Sequence, residues 1–261
     1  MNMQLGLAAV ALSATSALAS VSYTGGTLTE NFNSLPSTGV MSGFFTGTGV
    51  HAGIPGLTTW VGARLGGTGS AMNFIANAGD SNSGALFSYG DVDATERALG
   101  SLASGSNIGA FGVELVNDTS DTLTELVFSF DREQYRSSTS ASGTPNTLAF
   151  AYGFSGGMIT SANFLSDAGM TAHAAGDLVG DAPVASNGII TPPSVLAVGF
   201  TITGISWAPG QSLFIRWQDF NDQGNDAGLA VDNLSFTARV PTPGTAALVG
   251  LAGLAGLRRR R

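Results

Sequence analysis

F111-G-V-E-L-V-N117 and L126-V-F-S-F-D-R-E-Q-Y135, joined through D118-T-S-D-T-L-T-E125, decide the fold class. Phe111, Val113 and Leu115 fall on one side of an extended chain, and Leu126, Phe128 and Phe130 fall on one side of the next. Alternation with period two belongs to strands, because successive side chains of an extended chain point to opposite faces. Asn117-Asp118-Thr119-Ser120 supplies turn chemistry between them, so the pair is expected to form a long antiparallel hairpin.

The same pattern extends in both directions. Further strands are predicted at Thr27–Asn33, Thr58–Arg64, Ala85–Tyr89, Arg97–Leu102, Thr147–Phe154, Val195–Ile205, Ser212–Asp219 and Leu229–Ala238, each bounded by Gly, Asn, Asp or Ser. Leu196, Val198, Phe200 and Ile202 are expected to share one face of their strand. No helical period interrupts the series, which predicts an all-β domain: an antiparallel two-sheet, jelly-roll-like sandwich. The Ala-, Gly-, Asp- and Pro-rich stretch from Ile159 to Pro193 reads as a long irregular insertion.

Composition agrees. Charged residues make up 11% of the chain while Gly reaches 37 residues, which suits short strands and many turns better than surface helices. The chain has no Lys, and its last four residues are all Arg. Ahead of that run, six Arg stand against 18 Asp and Glu, a net charge of about −12. So acidic a body has no basic patch for a phosphate backbone, so nucleic acid is not an expected partner. The absence of Cys excludes disulfides, thiolate metal sites and thiol nucleophiles.

Both ends read as processing segments flanking one domain, 20–238. Residues 1–19 carry an apolar run, Leu5 to Leu12, and then Ala17-Leu18-Ala19, the small-x-small pattern before a signal peptidase cut. The expectation is a signal helix cleaved after Ala19. Residues 239–261 run Val240-Pro241-Thr242-Pro243-Gly244-Thr245, then Ala, Leu and Gly to Leu257, then Arg258, Arg259, Arg260 and Arg261. As a helix, the segment 245–257 rises about 20 Å, short of the ~30 Å hydrocarbon core, so it suits a transient membrane anchor. Terminal arginines hold that end on the cytoplasmic side and leave the body outside.

This tail resembles the PEP-CTERM sorting signal, in which a Pro-x-Pro motif, a short apolar helix and an Arg cluster follow in fixed order. The resemblance implies recognition by a membrane-embedded exosortase in bacteria that make extracellular polysaccharide. Thr242 stands where that family usually has Glu. The segments 79–90, 95–105, 112–119, 130–136 and 215–236 are together similar to a recurrent secreted bacterial β-sandwich module. That likeness speaks to fold more than to activity.

The densest polar run is D219-F-N-D-Q-G-N-D226, followed by Asp232-Asn233 in the last predicted strand. Closely spaced oxygen ligands around a Gly turn are what calcium takes, six to eight at a time. By analogy with calcium-stabilised carbohydrate-binding jelly rolls, Glu30 near the first strand and Asp232 in the last are expected to share an ion. Glu30, Asp219, Asp222, Asp226 and Asp232 therefore form the candidate metal set, against the alternative that Asp and Asn make turns and cap backbone groups.

Trp60, Tyr89, Tyr135, Trp207 and Trp217 are candidates either for the core or, the three Trp above all, for a platform on which sugar rings stack. Asp131, Arg132, Glu133, Arg136, Arg97 and Arg216 are expected to form ion pairs across the sheet. His51 and His173 lie in loops, outside any hydrolase or metalloprotease motif, and no catalytic constellation appears. The sequence thus predicts an exported, non-catalytic surface or matrix protein. The alternatives are a carbohydrate-binding module with a structural calcium and, more remotely, an extracellular hydrolase.

Overall fold

The computed structural model describes residues 19–139, 143–155, 159–160, 163–166 and 169–240. The expected signal segment before Ala19 and the sorting tail after Val240 lie outside these residues. Sixteen strands are present in the described chain: β1 Val21–Tyr23, β2 Thr27–Glu30, β3 Val40–Thr46, β4 Val50–Ile54, β5 Leu57–Gly66, β6 Ala71–Asn77, β7 Ala85–Tyr89 and β8 Ala98–Leu102. Then follow β9 Ile108–Asn117, β10 Leu123–Arg136, β11 Thr147–Phe154, β12 Thr171–Ala172, β13 Leu178–Val179, β14 Ile189–Trp207, β15 Ser212–Asp219 and β16 Gly228–Arg239. The one described helix is a 3-10 turn, Ala174–Gly176. Among the described residues no helix is long and apolar enough to cross a membrane.

Two eight-stranded sheets pack face to face. The first runs β12-β11-β15-β9-β5-β4, with β13 beside β11 and β1 beside β9. The second runs β14-β10-β16-β8-β7-β6-β3, with β2 beside β16. Pairing is antiparallel except for β1 with β9 and β6 with β7.

The expected hairpin of β9 and β10 is not formed. β9 pairs with β15, β5 and β1 in the first sheet, whereas β10 lies between β14 and β16 in the second. Their connection is an arch that carries the chain across the sandwich. Asn117, fully buried at its start, donates from Nδ2 to the carbonyls of Asp121 and Trp207, and its Oδ1 accepts from the Thr119 N–H and hydroxyl. The two apolar faces were placed correctly: Phe111, Val113 and Leu115 meet Leu126, Phe128 and Phe130 in the same core, facing one another instead of lying side by side. Alternation reports which face is buried; it does not report the neighbour.

Both sheets are also covered on parts of their outer faces. Ile159, Phe164 and Leu165, from the stretch expected to be irregular, pack on Val61, Ala63, Ala110 and Phe214 outside the first sheet, where Phe164 stacks on Phe214 at 5.1 Å. Outside the second sheet, Phe87, Tyr89 and Tyr135 form a stacked ladder with centroid spacings of 4.7 and 4.8 Å. β14 is an edge strand paired only with β10, which accommodates its Pro192 and Pro193. Of its expected apolar face, Phe200 and Ile202 are buried while Leu196 is 52% exposed.

The two ends of the described chain meet. The Tyr23 hydroxyl accepts the Ala238 N–H at 2.8 Å and lies 2.8 Å from the carbonyls of Gly26 and Ala238. β16 begins at the opposite end of the sandwich, where Gly228 lies across from Arg136. Twelve residues of strand separate the two ends, about 35–40 Å.

Candidate functional site

At the end away from the termini, the β15–β16 connection folds over the loops that follow β8 and precede β7. Leu213, Ile215, Trp217 and Asp219 share the inward face of β15, so the period that buries Trp217 also draws Asp219 in, leaving it 2% exposed. Beyond it, Asn146 gathers the loop. Its Nδ2 donates to Asp222 Oδ2 at 2.7 Å and to Asp226 Oδ1 at 3.2 Å, while its Oδ1 accepts from the Ala227 N–H at 2.9 Å. Asp226 Oδ1 accepts from the Asp222 N–H as well.

Gly224 closes the turn at φ +109°, and a β-carbon there would stand 1.8 Å from the Thr139 carbonyl. The approach allows Asn225 and Thr139 to exchange backbone hydrogen bonds at 2.9 and 3.2 Å. These contacts shape a cleft of about 220 Å³ whose polar walls are Asn82, Ser104, Asn187, Asn221, Asn225 and Asp226. Phe220, immediately before Asn221, leaves 48% of its surface in solvent. Behind one wall, Arg136 donates to the Gly79 carbonyl at 3.0 Å. With its oxygen turned towards that guanidinium, Asn187 accepts from Nε and Nη2 at 3.2 and 3.1 Å.

Burial dominates the electrostatics. It raises the Asp226 carboxyl to about 7; the neighbouring Asp222 carboxylate adds to the rise, against hydrogen bonds from the Asp222 N–H and Asn146. Asp219 is held well above the usual carboxylate range by its burial, and Asp226 and Asp222 add to this. Its Oδ2 has no hydrogen-bond partner, and neither has the buried Tyr89 hydroxyl, whose own pKa is raised by burial and by Asp219.

The five candidate metal ligands do not converge. Asp219, Asp222 and Asp226 come together at the distal end, with Asn146 already bridging two of them. Asp232 faces another group: burial raises it to about 8, and its contact with Glu96 and the Glu133 charge push the same way, against a hydrogen bond from the Asn233 N–H. It is 1% exposed, and its Oδ1 has no hydrogen-bond partner. Glu30 accepts the Phe32 N–H at 2.8 Å and lines a different, mainly apolar cavity of about 170 Å³ between the sheets, beside Trp60, Leu115 and Phe236. Among the described residues no three carboxylate or imidazole side chains form a ready-made metal site.

Of the two readings of the tryptophans the core one holds, since Trp60, Trp207 and Trp217 are all buried. Trp217 packs against Trp60, Phe111, Phe130 and Phe150, and its Nε1–H donates to the Gly176 carbonyl. Trp207 stacks on Tyr23 and donates to the Gln211 carbonyl. An indole whose N–H finds a carbonyl can be buried whole. Tyr89 and Tyr135 are buried too. Of the residues expected to pair across the sheet, Arg132 forms an ion pair with Asp181 at 3.0 Å, a partner outside the expected set.

Asn82, Ser104, Asn187 and Phe220 were not singled out in the sequence. Besides the polar run 219–226, an exposed Phe inside that run is a local mark of the place, since Phe220 falls out of phase with the inward face of β15.

No family model matches the chain, and no curated protein matches it. Among solved structures, the CBM22-1 xylan-binding domain of Paenibacillus barcinonensis Xyn10C aligns over 84% of this chain and 98% of that one, at 12% identity and a TM-score of 0.34. So loose a superposition transfers no ligand.

Proposed function

We propose that this chain is an exported, non-catalytic surface or matrix protein whose body binds polysaccharide through the distal cleft. The observation that carries the reading is the chemistry of that cleft. Four amide side chains, one hydroxyl and one carboxylate surround a groove, and Phe220, the chain neighbour of Asn221 in its wall, is exposed. Amides offer both donor and acceptor to sugar hydroxyls, and an exposed ring offers a face to the apolar side of a pyranose.

The placement of the chain ends supports the same reading. Export through residues 1–19 and sorting by an exosortase-type enzyme acting on Val240–Arg261 belong to the proposal. Val240, the last described residue, lies at the end opposite the cleft, so an intermediate held at the membrane by the residues that follow would present the cleft outward, to the extracellular polysaccharide.

Electrophoresis through gels containing neutral plant and bacterial glucans, xylan or galactomannan tests the binding. The folded body is expected to be retarded in at least one of them. Phe220→Ala and the double change Asn221→Ala/Asn225→Ala are expected to weaken that retardation tenfold or more, about 1–3 kcal/mol of binding. Unchanged mobility of both variants in a retarding gel defeats the assignment.

Calcium enters as a structural ion, and the residue it would serve is Asp232, whose buried Oδ1 lacks a partner. Glu96 would be the second carboxylate, with carbonyls or water completing the shell. Added calcium is expected to raise the melting temperature at pH 8.5 and less so at pH 5.5, where Asp232 already holds a proton. No gain at either pH, relative to chelator, removes the ion from the account.

A further inference from the structure

Resting on that reading of the distal cleft, we infer that the site is a charge filter: it takes neutral glycans and rejects acidic ones such as polyuronates. The inference comes from where the positive charge of the body is spent. The chain has no Lys, and all six Arg ahead of the terminal run are described and engaged. Arg64 donates to Asn107, Thr48 and the Gly67 carbonyl. Arg97 donates to the Ser88 hydroxyl and to the carbonyls of Ser88 and Asp91. Arg132 holds Asp181, Arg216 holds the Phe164 carbonyl, and Arg239 holds Glu125 at the end near the termini.

Arg136 is the one cation near the cleft, and it stands behind the wall. It is 8% exposed, and its guanidinium is taken up by the carbonyls of Gly79 and Asp80 and by Asn187 Oδ1. Its role towards a ligand is positional. By holding the oxygen of Asn187 it turns the Asn187 NH₂ group away from itself, making that side chain a donor with no charge of its own.

What lines the cleft is thus four amides, a hydroxyl and Asp226, with Asp222 beside Asp226. A sugar hydroxyl pairs with any of these groups. At pH 8.5, above the value near 7 at which Asp226 titrates, a uronate or sulfate would bring its anion next to two carboxylates with no cation to meet it, and a like charge facing an unpaired one is a strong means of rejection. The filter therefore follows from the same residues that bind.

The test is electrophoresis of the folded body through gels containing a neutral polysaccharide that retards it and, separately, polygalacturonate or alginate, all at pH 8.5 in chelator so that no divalent cation bridges carboxylates. Retardation in the neutral gel alone is expected, with less than about a twofold change between low salt and about 0.5 M salt, because no ion pair is formed. Asn221→Lys, which places a cation in the cleft, is expected to acquire salt-sensitive retardation in polygalacturonate. Retardation of the unaltered protein by the polyuronate, equal to or stronger than by the neutral polymer, overturns the filter while leaving glycan binding in place. Absence of retardation in every gel defeats the glycan reading and the filter together.

Discussion

Trp217 and Phe220 lie three residues apart and have opposite environments. Trp217 is fully buried among four aromatic rings, so Trp217→Ala is expected to cost about 3–5 kcal/mol of stability. Phe220, half in solvent, is expected to cost within about 0.5 kcal/mol when changed to Ala while removing most glycan affinity. Chemical denaturation of the two variants checks the split, and a strongly destabilised Phe220→Ala would show that the ring is structural. Part of this contrast was legible in the sequence. Leu213, Ile215, Trp217 and Asp219 keep one phase and Phe220 breaks it, which marks Trp217 as core and Asp219 as a buried carboxylate. Of the two readings open for the three Trp, core or sugar platform, burial decides for the core. The roles of Asn82 and Asn187 were not legible, because they are brought to the cleft from loops distant in sequence.

At the scale of elements, period-two alternation located strands well, and β7, β11 and β15 span the predicted residues to the end. It left their partners open. β9 and β10 looked like a hairpin because both have an apolar face and a polar turn lies between them. The buried Asn117 turns that connection into an arch between the sheets, and its four side-chain contacts are invisible to pattern. β3, β4 and β6 were missed because Gly-rich stretches beside them dilute the alternation.

The β15–β16 connection depends on Gly224, where φ is positive and the Thr139 carbonyl lies against the α-carbon. Gly224→Ala is expected to spring the loop from Thr139, lowering glycan affinity at least tenfold while the melting temperature of the sandwich falls only slightly. Gel retardation beside thermal melting reads both. Full affinity in Gly224→Ala would separate the loop's shape from its function.

For the whole molecule, buried carboxylates make stability depend on pH in a definite direction. Asp226 titrates near 7 and Asp232 near 8 in the folded state, against an ordinary value of 3.8. The folded protein thus holds protons that the unfolded chain releases above about pH 4. Stability is complete below that point and declines as pH rises towards 7 and 8, the reverse of a salt-bridged carboxylate. Calorimetry in chelator is expected to give a melting temperature that falls from pH 5 to pH 8.5. Asp226→Asn, which imitates the protonated form, is expected to flatten part of that fall, and a rising melting temperature would contradict the burial of these groups.

The architecture also separates the two ends of the sandwich, with the ends of the described chain at one and the cleft at the other. Backbone amide NMR during titration with an oligosaccharide of the retarding neutral glycan tests this division of labour most directly. Shifts are expected to concentrate at Asn82, Ser104, Asn187 and residues 220–226, with Tyr23, Trp60 and Ala238 unmoved. Shifts centred on the inter-sheet cavity around Trp60 and Glu30, with the 220–226 loop silent, would contradict the account.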